Sequence, residues 1–125
     1  MTAPLVAPRP GAHRLPDATQ RALRAALRQE LDVQRAQLTE ARSELEELTR
    51  QADVHSQLER EFAERAAQRA EEVIAEVTLA LGRLEDGTYG VCEGCGNDVA
   101  VERLHAIPFT RHCVPCSARA PRLLG

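Results

Sequence analysis

Four cysteines carry the chemistry this chain offers. Cys92-Glu93-Gly94-Cys95 and Cys113-Val114-Pro115-Cys116 form the pattern C-x2-C-x17-C-x2-C. Each pair sets two thiolates on one tight turn, and the intervening loop returns the second pair to complete a tetrahedron. Zinc favours four thiolates in that arrangement, at a Zn–S distance of about 2.3 Å. Gly96, directly after Cys95, permits a left-handed backbone that turns amides toward the sulfurs. Pro115 suits the first turn of a short helix, whose N-terminus favours the second pair of thiolates. Disulfides would need an oxidising compartment, and Met1–Pro16 has no export-signal pattern. A redox C-x-x-C normally comes singly in a βαβ setting, which this sequence lacks. The reading is one structural zinc ion on Cys92, Cys95, Cys113 and Cys116. Four ligands close the coordination sphere to water, so the site is structural and the protein is not expected to be an enzyme. His105 and His112 are spare nitrogen ligands by sequence distance; with four cysteines present they are read as surface or neighbouring residues.

The elements that position this motif are helical. Of 125 residues, none is Trp, one is Tyr (Tyr89) and two are Phe (Phe62, Phe109), so the side chains that fill a compact core are scarce. A globular enzyme with a deep pocket does not fit that composition. Residues 1–16 hold four prolines and read as a disordered tail. Asp17 reads as an N-cap, opening a stretch without Gly or Pro up to Gly82. Leu27, Leu31, Leu38, Ala41, Leu45, Leu48 and Ala52 form one heptad seam, broken by Gln34. Ala63, Ala66, Ala70, Val73, Val77, Ala80 and Leu84 form a second, whose stripe Phe62, Ile74 and Leu81 widen. The two seams do not share a frame: the first, carried forward, would bury His55, Glu59, Arg69 and Glu76. A break at Asp53-Val54-His55-Ser56 lets each half keep an apolar face. The expected fold is mainly α: a long antiparallel helical hairpin, a coiled coil over 17–86, followed by a small C4 zinc finger over 87–125 with a short C-terminal helix. The arms run over about 17–52 and 57–86, with the tip near 53–56. A continuous dimeric helix with a phase shift is the competing arrangement. Gly87 suits the C-terminal cap of the second arm.

Charge separates the two parts. Glu30–Asp86 holds 15 acidic residues against 7 Arg, while the remainder holds 4 acids and 9 Arg. There is no Lys, and the whole chain carries −3. An acidic middle section is a poor match for a phosphate backbone, so direct nucleic-acid binding is not expected of it. It is read either as a solvated helical surface or as a field directed at a partner. No apolar run approaches the ~20 residues that cross a bilayer. The chain is therefore read as a cytoplasmic monomer without a membrane contact.

The run from Ala80 to Cys92 (ALGRLEDGTYGVC), then Cys95-Gly96, Arg103-Leu104-His105-Ala106-Ile107-Pro108, Cys113 and Cys116, resembles the DksA/TraR family of C4-type zinc-finger proteins. The resemblance covers the C-terminal third closely, and the helical hairpin and Glu59-Arg60-Glu61-Phe62 agree with it. It implies a transcription regulator that binds bacterial RNA polymerase by protein–protein contact. In that family the coiled-coil tip enters the secondary channel while the zinc-bearing end docks at its rim. An acidic surface suits a channel carrying basic groups. The family's acidic tip pattern D-x-x-D-x-A is only partly present: Asp53 matches, whereas Ser56 and Leu58 stand at the next two positions. Asp53 is thus the tip residue the resemblance assigns to partner binding; its other reading is a turn or cap residue. Family members that bind the alarmone ppGpp use basic residues including Lys, so that activity is not carried over. A zinc-stapled coiled-coil adaptor or dimerisation protein with a different partner is the alternative. A DNA-binding zinc finger is weaker, because after Gly87 only Arg103, Arg111, Arg119 and Arg122 face three acids.

Overall fold

The computed structural model describes residues 15–51 and 54–119. It consists of α1 (Asp17–Thr49), α2 (Val54–Asp86), α3 (Val101–Ala106) and α4 (Val114–Arg119), and the described residues include no strand beyond an isolated antiparallel bridge between Val91 and Asp98. Chain contacts divide it into two compact units: Arg28–Thr78, and Met1–Leu27 together with Leu79–Gly125. Asp17 is the first helical residue rather than the cap before it. The carbonyl of Pro16 accepts the amide of Gln20 at 2.9 Å, and the Gln20 side chain reaches back to the Leu15 carbonyl.

In the unit Arg28–Thr78, α1 and α2 run antiparallel. Ala41 and Leu48 from α1 are buried with Ala63, Ala67, Ala70 and Val77 from α2. Small side chains at the contact let helix axes approach closely. Gln34, which interrupts the first seam, turns its amide to Glu30 on its own helix at 2.8 Å. Arg42 and Glu71 pair across the helices at 2.8 Å, both well exposed, so their pairing is worth ~0–1 kcal/mol. Phe62 does not widen the apolar stripe as its spacing suggested. It is 59% exposed, with the Arg65 guanidinium 4.9 Å above its ring. Ile74 and Leu81 are half-buried.

The turn also lies earlier than the sequence suggested. Thr49 ends α1 and Val54 starts α2, so His55 and Ser56 are helical. Neither Gly nor Pro makes the reversal; two side chains from α2 close it. Ser56, 1% exposed, donates to the Gln51 carbonyl at 2.9 Å. Arg60 reaches back one turn further and donates to the carbonyls of Leu48 and Gln51 at 3.4 and 3.3 Å. The Leu48 carbonyl, in the last turn of α1, also accepts the Gln51 amide at 3.0 Å. Ala52 and Asp53 lie outside the described residues.

The second unit packs the start of α1 and the end of α2 with the segment that follows. Leu23, Leu27, Ala80, Leu84, Tyr89, Val99 and Leu104 are buried together with Cys92 and Cys116. Leu23 extends the first seam one step beyond its expected start. The last turn of α2 ends on the Arg83 carbonyl, which accepts the amides of Thr88 and Tyr89, with Gly87 at φ 82°. That is the glycine cap expected there. Replacing Ala80, fully buried, by Leu should overpack this core and cost ~1–3 kcal/mol in urea unfolding followed by helical circular dichroism. Phe62→Ala, on an exposed surface, should stay within ~0.5 kcal/mol.

Candidate metal centre

The first cysteine pair sits on a turn that its own backbone holds. Cys92 donates its amide to Asn97 O at 2.8 Å, and Gly96 donates to Cys92 O at 2.9 Å with φ 79°. The Gly94 amide points at Cys92 Sγ, 3.3 Å away. Gly94 also lies close against the second pair: a Cβ there would lie 3.1 Å from Cys116 Sγ and 3.3 Å from Cys116 Cβ. The sequence pattern drew attention to Gly96, whereas Gly94 is the glycine that the sulfur itself requires.

The second pair is placed by the loop before it and by α4. Cys116 lies inside α4, with Pro115 in the first turn, and the Ser117 amide donates to the Cys113 carbonyl at 2.9 Å. The Glu93 amide donates to Arg111 O at 2.8 Å, which stitches the first turn to the second. Arg103 Nε from α3 and Thr110 Oγ1 donate to the His112 carbonyl at 2.8 and 3.1 Å. Tyr89, 6% exposed, donates its hydroxyl to Pro108 O at 2.8 Å. Burial pushes the Tyr89 hydroxyl up to about 12 against the opposing charge of Arg83, so it stays a donor. Glu93 receives Arg83 at 3.3 Å and Arg111 at 3.6 Å, joining α2 to both turns. In the sequence Arg83 and Tyr89 stand out only as members of the family-like run, and Glu93 only as a residue of the first cysteine turn. Their roles depend on which carbonyl or carboxylate the fold brings near, and spacing alone does not show that.

The result is one cluster. The four Sγ atoms of Cys92, Cys95, Cys113 and Cys116 all lie within 4.8 Å of one another, and Cys95 and Cys113 are 3.8 Å apart. A tetrahedron with ligands at about 2.3 Å has edges of about 3.8 Å. A disulfide needs about 2.05 Å, and all four thiols are free. The donor set therefore fits a tetrathiolate metal ion. Burial pushes Cys92 up, but the backbone amides of Cys113, Cys95 and Gly94 and the Cys116 side chain outweigh it and bring the thiol down to about 6. Cys116 is pushed up to about 12, first by sharing a hydrogen bond with Cys92 and then by burial. Bound zinc replaces the protons held by such thiols and keeps them as thiolates. His112 is half-buried beside Gly94 and His105 is exposed; neither joins the sulfur cluster. His55 is exposed on α2 beside Glu59, at 3.5 Å. Asp53 lies outside the described residues. Among the described residues, no helix is long and apolar enough to cross a membrane.

Comparison with known proteins agrees with this geometry. The prokaryotic dksA/traR C4-type zinc finger matches residues 87–122. The RNA polymerase-binding transcription factor DksA of Caulobacter vibrioides is 30% identical over 93 residues, covering 68% of this chain and 66% of that protein. General stress protein 16O of Bacillus subtilis is 47% identical over 47 residues, covering 38% of this chain and 29% of that protein. The match thus spans less than two thirds of the length of either relative. Among solved structures, transcription factor DksA2 from Pseudomonas aeruginosa has the same fold, with a TM-score of 0.76 and 24% identity over 93% of this chain and 92% of that one. The cofactor of a C4 finger with this sulfur cluster is a structural zinc ion. With its finger, its two long helices and these relatives, the chain belongs to the DksA/TraR family of C4-type zinc-finger proteins.

Proposed function

We propose that this protein is a non-enzymatic, cytoplasmic transcription regulator that binds bacterial RNA polymerase. The observation that carries the reading is the 93-residue match to the polymerase-binding factor of Caulobacter vibrioides. That match is much longer than the zinc finger over 87–122, so it takes in helical sequence as well. In this reading the hairpin over 17–86 presents its tip, with Asp53, to the secondary channel of the polymerase. The segment 87–125 is the zinc finger that docks outside. The acidic residues of Glu30–Asp86 supply the field that draws it toward a cationic channel. Sequence-specific DNA contact plays no part.

The metal has a mechanical role. Cys92, Cys95, Cys113 and Cys116 hold one zinc ion, and this supplies folding free energy to a segment whose buried large side chains are few. Around it, the Tyr89 hydroxyl, the Arg103 guanidinium and the Glu93 carboxylate fix the loops that carry the ligands. No open ligand position is needed, because the ion orients a surface and performs no reaction.

Two outcomes test this. Zinc-loaded protein should co-purify with core RNA polymerase and be displaced by a known secondary-channel binder. Asp53→Asn should lower the change in transcript yield while leaving that binding intact. Binding without displacement would move the contact elsewhere, and absence of binding would leave a zinc-stapled adaptor. For the metal, Cys113→Ser should cut zinc content and open residues 87–119 to proteolysis. In the native protein, chelators should strip zinc more readily at pH 6 than at pH 8, since protons compete for the thiolates.

A further inference from the structure

The four sulfurs are not held alike. Cys92 and Cys116 are buried, Cys113 is half-buried and Cys95 is exposed. Of the two buried sulfurs, Cys92 Sγ receives the backbone amide of Gly94 at 3.3 Å. Cys116 Sγ receives a charged donor instead, Nη2 of Arg119, also at 3.3 Å. Three residues apart on α4, the two side chains share a helix face. Arg119 is otherwise exposed. Arg83 and Arg111 lie against Glu93, and Arg103 donates to the His112 carbonyl.

Four thiolates on a divalent ion leave two net negative charges at the centre. A cation held against one of the sulfurs lowers the repulsion among them. A charge-assisted hydrogen bond is also roughly twice as strong as a neutral one. We propose that Arg119 is a positioning residue of the metal centre: its guanidinium hydrogen-bonds to the Cys116 thiolate, offsets part of the excess negative charge and slows loss of the ion from that edge. This rests on the four-cysteine ligand set proposed above.

The experiment uses the full chain loaded with zinc, and separately with cobalt. Arg119→Gln should release zinc to a chelating dye roughly tenfold faster at low ionic strength, in line with the effect of outer residues on metal sites. The difference should shrink in about 1 M salt, where charges are screened within about 3 Å. Arg119→Lys, which keeps the charge, should fall between the two. In the cobalt form, loss of the donor should move the sulfur-to-cobalt charge-transfer band to lower energy, which a change confined to helix stability would not do. Equal release rates and an unmoved band in Arg119→Gln would overturn the proposal. So would an equal, salt-insensitive acceleration in the Gln and Lys variants, which would mean that only the shape of α4 matters. A native protein without a tetrathiolate cobalt spectrum would instead remove the ligand set on which the proposal rests.

Discussion

Four sulfur atoms within 4.8 Å of one another repel once deprotonated, and a divalent cation among them turns that repulsion into attraction. The second compact unit is arranged around this constraint. Some of its hydrogen bonds run to backbone carbonyls near the ligands, at Asn97, Arg111 and His112. Its apolar contribution comes from a few residues, Leu23, Leu27, Ala80, Leu84, Tyr89, Val99 and Leu104. A segment with one tyrosine and one phenylalanine after residue 86 has little else to bury. The metal takes the place of a larger core, as small domains commonly require.

The helices meet the same shortage differently. The seam of α2 is built from Ala63, Ala67, Ala70 and Ala80, with Val77 as its larger member. Such residues offer little transfer free energy each, so the helices gain by close approach along a long contact rather than by deep packing at one place. Polar residues in or beside the seam find partners locally, as Gln34 does with Glu30. Among the apolar side chains left outside, Phe62 has a guanidinium over its ring.

Much of this was legible in the residues. The cysteine spacing pointed to the sulfur cluster because tetrahedral zinc has narrow demands on ligand type and number. The break in heptad frame between Ala52 and Leu58 favoured a reversal over a continuous helix with a phase shift, and the structure has one, between Thr49 and Val54. Less legible was anything depending on a reach across sequence. Phe62 fell at an apolar interval, but its helix face turns outward there, and a periodicity count does not resolve one residue at the edge of a stripe. The role of Gly94 depends on Cys116, 22 positions later. Ser56 looked like a turn residue for its type; it serves the turn from inside the helix that follows.

That last arrangement has a consequence for how such a protein can change over time. The reversal between α1 and α2 is fastened by Ser56 and Arg60, whose donors meet the carbonyls of Leu48 and Gln51. The fastening residues belong to a regular helix, and the connecting positions contain neither glycine nor proline. Because the clasp uses side chains of the following helix and backbone carbonyls before it, the place of the reversal does not call for a special residue type in the connection.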